Sequence, residues 1–414
     1  MIGVLVAVGA DDPEAQLLST LADTPDVHVV RRCVDVTDLV SMAASHQADV
    51  ALVSLALPGL DAGVVARLGE LEVAVVGVSE AGAEGDRATL TRLGTQMVLA
   101  PHDLGELPEV VAQLRRPRPE TAPSSAGADG LDVGLRQGRV MAVWGPSGSP
   151  GRSTVAIGVA AESARLGLGA LLVDADVYGG TVAQLLGLLD ESSGLLAASR
   201  AANVGALTVD VLARHAREVS PDLRVLTGLP RADRWPEVRP VLLRAVLDSC
   251  RALADVTVVD CGFSLERDEE IVYDTAAPRR NGATLEALAQ SDTVVVVGSA
   301  DPVGIGRLTR GLDELREVLP GVAPYVVLNR SRASLGWGGD EVREVVRRVS
   351  GVEVAAVLPD DPAACDRALV QGRAVAECAA ASRVARALHR VAADLLGAPV
   401  AGRRLRRRTA ARAR

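Results

Sequence analysis

The sequence predicts an α/β protein made of two doubly wound domains. Three observations carry this reading. Residues 1–115 alternate short apolar runs with helical stretches. Residues 116–138 break the alternation with a segment rich in Pro, Ser, Gly and Ala, which is linker composition. From Arg139 the alternation resumes and continues to about residue 398, before a basic tail at 399–414. Repeated strand–helix alternation implies a parallel sheet covered by helices on both faces.

In the first domain the expected strands are Ile2–Val8, Val27–Val30, Val50–Leu55, Val73–Val78 and Met97–Leu99, with helices around Pro13–Leu21 and Leu39–Ser45. In the second they are Val140–Trp144, Ala170–Asp174, Leu223–Leu226, Val256–Val259, Thr293–Val297, Tyr325–Leu328 and Val354–Val357. These runs are continuously apolar, as expected of strands buried on both faces. A last helix, Arg383–Leu396, precedes the tail.

Composition narrows the function. No apolar run reaches the roughly 18 residues of a membrane span. The five cysteines are scattered without a CxxC, which argues against disulfides and zinc. The chain has no lysine, so all 44 cationic side chains are arginine. The formal charge is −9 although Arg403–Arg414 holds seven arginines and no acid, so the rest of the chain is more acidic still. An acidic body with 2% aromatic residues argues against a nucleic-acid surface. The expected location is cytoplasmic.

The segment VMAVWGPSGSPGRSTVAIG is an apolar strand, a Gly/Ser/Pro loop and a helix start. Phosphate binding needs this order. Small residues let backbone amides approach the oxygens, and the helix N-terminus adds a positive dipole end. Against the pattern GxxxxGK[ST], the lysine position is Arg152 and the Mg²⁺-facing hydroxyl is Ser153. The same residues also suit a plain strand-to-helix turn. Asp174 and Asp176 close one apolar strand and Asp260 another, the strand end at which open α/β sheets place their ligands. Strand-end aspartates also cap turns and helices.

Taken in order, these motifs resemble the MinD/ParA/CpaE family of deviant-Walker P-loop ATPases over residues 139–398. The family's KGGxGK[ST]T loop aligns with Ser147-Gly148-Ser149-Pro150-Gly151-Arg152-Ser153-Thr154, with Gly145 just before it. The resemblance implies ATP and Mg²⁺ as cofactors. Asp174 and Asp176 match the switch I aspartates, the second associated with hydrolysis, and Asp260 matches the Walker B position. Ser153, Asp174 and Asp260 then become the metal-side residues, and Asp176 with Arg152 the catalytic pair. Asn329 and Arg330 fall where the family reads adenine, and Pro359 and Asp360 resemble its later adenine-side loop. The resemblance also implies a homodimer.

Two departures bear on activity. The family's signature lysine falls on Ser147 and its coordinating lysine on Arg152, with no other lysine to replace either. A planar guanidinium is not equivalent to an ammonium at a phosphate. The segment Cys261–Thr284 also departs, and its Arg279 and Arg280 are either phosphate-side cations or part of a solvated loop.

Residues 1–115 resemble a response-regulator receiver. Asp11 and Asp12 follow the first strand, but the phosphoacceptor position holds Ser54 and the lysine position Ala100, while Ser79 takes the hydroxyl position. Phosphotransfer needs the missing carboxylate and cation. The domain therefore reads as a pseudo-receiver, and its order before a MinD-like domain is that of CpaE-like proteins. The function implied is positioning of a pilus, secretion or septum apparatus, with pilus, secretion or cell-division proteins as partners and membrane, polar or septal association. The alternatives are a non-hydrolysing scaffold and a DNA-partitioning ATPase. Arg403–Arg414 is a candidate for weak contact with anionic lipid.

Overall fold

The computed structural model describes residues 2–8, 12–24, 26–79, 83–114, 138–148, 150–188, 192–267 and 279–397. Asp11, Ser149, the segments 115–137 and 268–278 and the arginine tail lie outside them.

The first sheet contains β1 (Ile2–Ala7), β2 (Val27–Arg32), β3 (Val50–Val53), β4 (Ala74–Val78) and β5 (Met97–Leu99). All its pairings are parallel, in the order β2-β1-β3-β4-β5. This is the flavodoxin-like doubly wound order. Val50–Val53 is buried at every position, as the apolar run requires of a strand covered on both faces.

The second sheet contains β6 (Arg139–Trp144), β7 (Ala170–Ala175), β8 (Arg217–Ser220), β9 (Leu223–Leu226), β10 (Val256–Cys261), β11 (Thr293–Ser299), β12 (Tyr325–Ser331) and β13 (Val354–Pro359). Its order is β13-β12-β11-β6-β10-β7-β9-β8, parallel throughout except for β8, which runs antiparallel at the edge. The sequence reading misses β8. Its residues, REVS, carry one apolar side chain and are half exposed, so no hydrophobic signal marks it.

The chain enters this sheet at β6 and builds outward on one side, then returns to β10 and continues on the other. The β6 carboxyl end is thus a switch point, where a crevice opens. The helix Arg152–Arg165 that follows β6 is buried from Val155 to Ala164, because the last helix, Arg383–Leu395, lies across it. No described helix is long and apolar enough to cross a membrane.

The two sheets touch through their helices. Ala62–Glu70 and Glu84–Leu93 of the first pack on Gly194–Asn203 of the second, and Ala62–Glu70 also meets Pro240–Leu253. Asn203 donates to Asp61 at 3.2 Å, and Arg239 reaches Asp61 at 3.5 Å and also bonds Asn203.

Candidate nucleotide site

β6 ends at Trp144, which is fully buried and donates from Nε1 to the Phe263 carbonyl at 3.0 Å. This bond ties the start of the phosphate loop to the segment after β10. Gly145 passes so close to β11 that any side chain there would strike the Val297 carbonyl. Gly148 and Gly151 have φ of +100° and +95°, a conformation that disfavours L side chains. Gly151 caps the helix, and Arg152, Ser153 and Thr154 form its first turn.

Three carboxylates stand at adjoining strand ends. Asp260 and Asp174 are register partners on β10 and β7, each 1% exposed. Asp174 accepts from the amides of Val182 at 3.1 Å and Asp176 at 3.3 Å, so it shapes the turn that carries Asp176. Asp176 accepts from Gly179 at 2.9 Å and Tyr178 at 3.2 Å, and its other oxygen lies 3.6 Å from Arg152 Nη2.

Asp260 differs from the other two. Neither of its oxygens has a hydrogen-bond partner of good geometry, although the Ser153 hydroxyl is near enough to stabilise its charge. Burial raises its pKa to about 7, with Ser153 and Arg152 opposing and Asp176 adding to the rise. Burial also holds the Asp174 pKa well above the ordinary range, with the Asp260 charge adding to it.

Arg152 folds back on its own loop. Its Nη1 donates to the carbonyls of Gly145 and Pro146, each at 3.2 Å, and its Nε is buried without a partner. The described structure therefore brings together Arg152, Ser153, Asp174, Asp176 and Asp260 around Gly145–Gly151.

Comparison with solved structures identifies this architecture. The chain is similar to the cell division ATPase MinD of Pyrococcus furiosus, with a TM-score of 0.51 and 19% identity over 63% of this chain and 99% of that one. It is similar to a ParA family ATPase from Chlorobium tepidum, with a TM-score of 0.53 and 20% identity over 61% of this chain and 98% of that one. The second sheet has the MinD/ParA fold. No family model matches the sequence, and no curated protein matches it.

Within the MinD/ParA fold, the remaining expected residues are placed as follows. Asn329 is buried, and its Nδ2 donates to the Pro150 carbonyl at 2.9 Å while its Oδ1 accepts from the Arg330 amide at 2.9 Å. The resemblance implies a base-reading residue here. The geometry also makes it a brace behind the loop, since Nδ2 holds the Pro150 carbonyl, while the second Nδ2 hydrogen and the second Oδ1 lone pair leave the side chain capacity for a ligand. Arg330 is exposed, with φ +59°. Pro359 ends β13 and lines a groove of about 880 Å³ whose walls include Glu162 and Arg165, at the far end of the helix that begins at the loop. The Asp360 amide donates to the Ser331 carbonyl at 2.8 Å, tying that turn to β12. Arg280 lies over the Tyr178 ring at 5.9 Å, and Tyr178 stacks on Trp235. This contact fits a surface role for Arg280.

Two contributors were not read from the sequence. Phe263, half exposed, lines a polar cleft of about 700 Å³ with Pro146, Ser147, Arg307 and Arg310. Arg307, on the helix Pro302–Val318, lies against Gly148 so closely that a side chain at 148 would collide with its guanidinium. Gly311, one turn later, was the readable sign that this helix comes close to a neighbour, but linear sequence does not say to which.

In the first sheet, Ser54, Ser79 and Ala100 follow β3, β4 and β5 and share one edge. Ser54 Oγ donates to the Val8 carbonyl at 2.7 Å, so it closes the edge internally.

Proposed function

We propose that this protein is a CpaE-like nucleotide-binding protein of the MinD/ParA type. In this reading, residues 139–398 bind ATP with Mg²⁺, pair with a second copy, and position a pilus, secretion or septum apparatus with weak or conditional ATP turnover. The flavodoxin-like first sheet, with Ser54 at the phosphoacceptor position, supports a non-phosphorylated interaction module in front of it.

The observation that carries the proposal is the Asp260 carboxylate. A buried carboxylate with both oxygens unpartnered is costly unless it is protonated or meets a cation. It stands beside Ser153 in the first turn of the helix that follows the glycine loop, which suits Mg²⁺ held by one carboxylate, one hydroxyl and phosphate oxygens. Among the described residues no three His, Cys, Asp or Glu side chains converge to hold a metal by themselves, which fits an ion that arrives with its phosphates. Asp260 and Ser153 would hold the ion, and the ion would neutralise charge on the phosphates. Asp174 positions the Asp176 turn. Asp176 aligns Arg152 across a 3.6 Å gap.

A specific observation favours a second reading, a scaffold that does not use nucleotide. Arg152 already bonds the carbonyls of Gly145 and Pro146, which keeps the loop closed on itself. Titration with a fluorescent ATP analogue and Mg²⁺ separates the two. The nucleotide reading expects saturable binding that falls roughly tenfold or more in Arg152→Ala, the size of a lost charged hydrogen bond. Absence of binding by the wild-type chain leaves the scaffold.

A further inference from the structure

The structure assigns to Arg307 the phosphate-binding charge that Ser147 does not supply. This rests on the nucleotide reading above and deepens it: the ligand atoms are the outer phosphate oxygens of a nucleoside triphosphate, and the cation comes from the helix Pro302–Val318 rather than from the loop itself.

Four observations lead there. First, neither Ser147 nor any other loop residue before Arg152 carries positive charge. Second, Arg152 begins the helix after the loop, bonded to Gly145 and Pro146 and facing Asp176, so it serves the phosphates at the helix end and leaves the rest of the loop without a cation. Third, Arg307 is seated on the loop by two glycines. Gly148 has no Cβ to occupy the place of the guanidinium. Gly311 lets the helix come down onto the loop, for a Cβ there would lie 3.1 Å from Trp144 Cη2 and 3.2 Å from Pro146 Cβ. Arg307 and Gly311 are four residues apart and so share one helix face. Fourth, the helix itself is firmly placed. Asp301 caps it, accepting from Gly304 N at 2.9 Å and from Ser299 Oγ at 2.6 Å, and Leu308, Leu312 and Leu315 are buried beneath it.

The direction of action follows from the two ends of the loop. The helix N-terminus at Gly151–Ser153 offers amides and a positive dipole end to the inner phosphates. Arg307 stands beside Gly148, away from that helix end, where it would meet the outer phosphate of a triphosphate seated on the loop. A guanidinium there can bond two oxygens at once. Arg307 therefore tells a triphosphate from a diphosphate.

The test uses the full chain, fluorescent ATP and ADP analogues, and Mg²⁺. Arg307→Ala is expected to weaken ATP by roughly ten- to hundredfold, the effect of losing a charged hydrogen bond, while ADP changes little. Arg307→Lys is expected to recover part of the loss, and Ser147→Lys in the Arg307→Ala background to recover more. Unchanged melting by circular dichroism shows that each variant is folded. If Arg307→Ala binds ATP like wild type, the assignment is wrong and the nucleotide reading survives. If it loses ATP and ADP equally, Arg307 props the loop and does not read the outer phosphate. If wild type binds neither nucleotide, both the assignment and the reading on which it rests are overturned.

Discussion

The Asp260 carboxylate has a consequence for stability as well as for binding. Its folded pKa, about 7, lies above the ordinary aspartate value. Below that ordinary value both folded and unfolded chains hold the proton, and Asp260 adds no pH dependence. As pH rises, the unfolded chain ionises first, so the contribution of the protonated side chain to stability is lost progressively up to about pH 7. Asp260→Asn keeps the shape and removes the ionisation. It is expected to raise Tm by a few degrees at pH 8 and to leave it nearly unchanged at pH 4, as measured by calorimetry without nucleotide. A Tm lowered at pH 8 would show that the carboxylate is satisfied in the folded chain. Binding has the opposite sign: a cation needs the ionised form, so affinity for Mg²⁺-ATP should rise between pH 6 and 8 in wild type and lose that slope in Asp260→Asn.

Residue chemistry also governs turnover. Preorganised charge at the transferred phosphoryl group is typically worth about 10²–10³ in rate. With Ser147 uncharged and Arg152 bonded to loop carbonyls, wild-type phosphate release is expected to be slow, and the double change Ser147→Lys/Arg152→Lys is expected to raise it. A wild-type rate that already equals that of the double variant would contradict this account.

At the scale of elements, the sequence is legible wherever burial is two-sided. The apolar runs at Val140–Trp144, Ala170–Asp174 and Val256–Val259 are central strands of the second sheet, and the aspartates that close the latter two stand at adjoining strand ends. The phosphate loop is legible for the same reason, because strand, small residues and helix start must be adjacent in sequence to work. What is not legible is whatever depends on non-local approach. β8 is an edge strand with little apolar signal. That Asn329 braces the loop is invisible in sequence, since only the fold brings it to Pro150. The seating of Pro302–Val318 on Trp144 and Pro146 rests on one glycine. Gly311→Val adds volume against both and is expected to cost about 1–3 kcal/mol, as overpacking usually does. Urea unfolding measures this, and a cost near zero would mean that the helix has room to retreat.

At the scale of the molecule, the two sheets are joined by contacts of modest individual strength. The Asp61–Arg239 pair is about one-third exposed on each side, and such pairs contribute roughly 0–1 kcal/mol. The contact is nevertheless specific. Asp61 uses one oxygen to cap the helix Ala62–Glu70 through Val64 N at 2.9 Å and offers the other to Asn203 and Arg239. Arg92 donates to the Gly205 carbonyl, and Gly205, with φ +63°, leaves no space between itself and Thr89. Val65 and Leu93 belong to the same buried cluster as Ala202 and Leu242, so apolar packing backs the polar bonds. Polar bonds and a shared apolar cluster thus hold the two sheets together. Replacing Arg239 and Arg92 together by Ala removes two of the three polar links between the sheets, Arg239–Asp61 and Arg92–Gly205, while sparing the Asp61 cap and its bond from Asn203. Wild type is expected to unfold in one calorimetric transition, and the double variant in two, with the less stable sheet melting first. A single transition at the same temperature in both proteins would mean that apolar packing alone sets the joint, and that the Asp61–Asn203–Arg239 network does not carry the coupling.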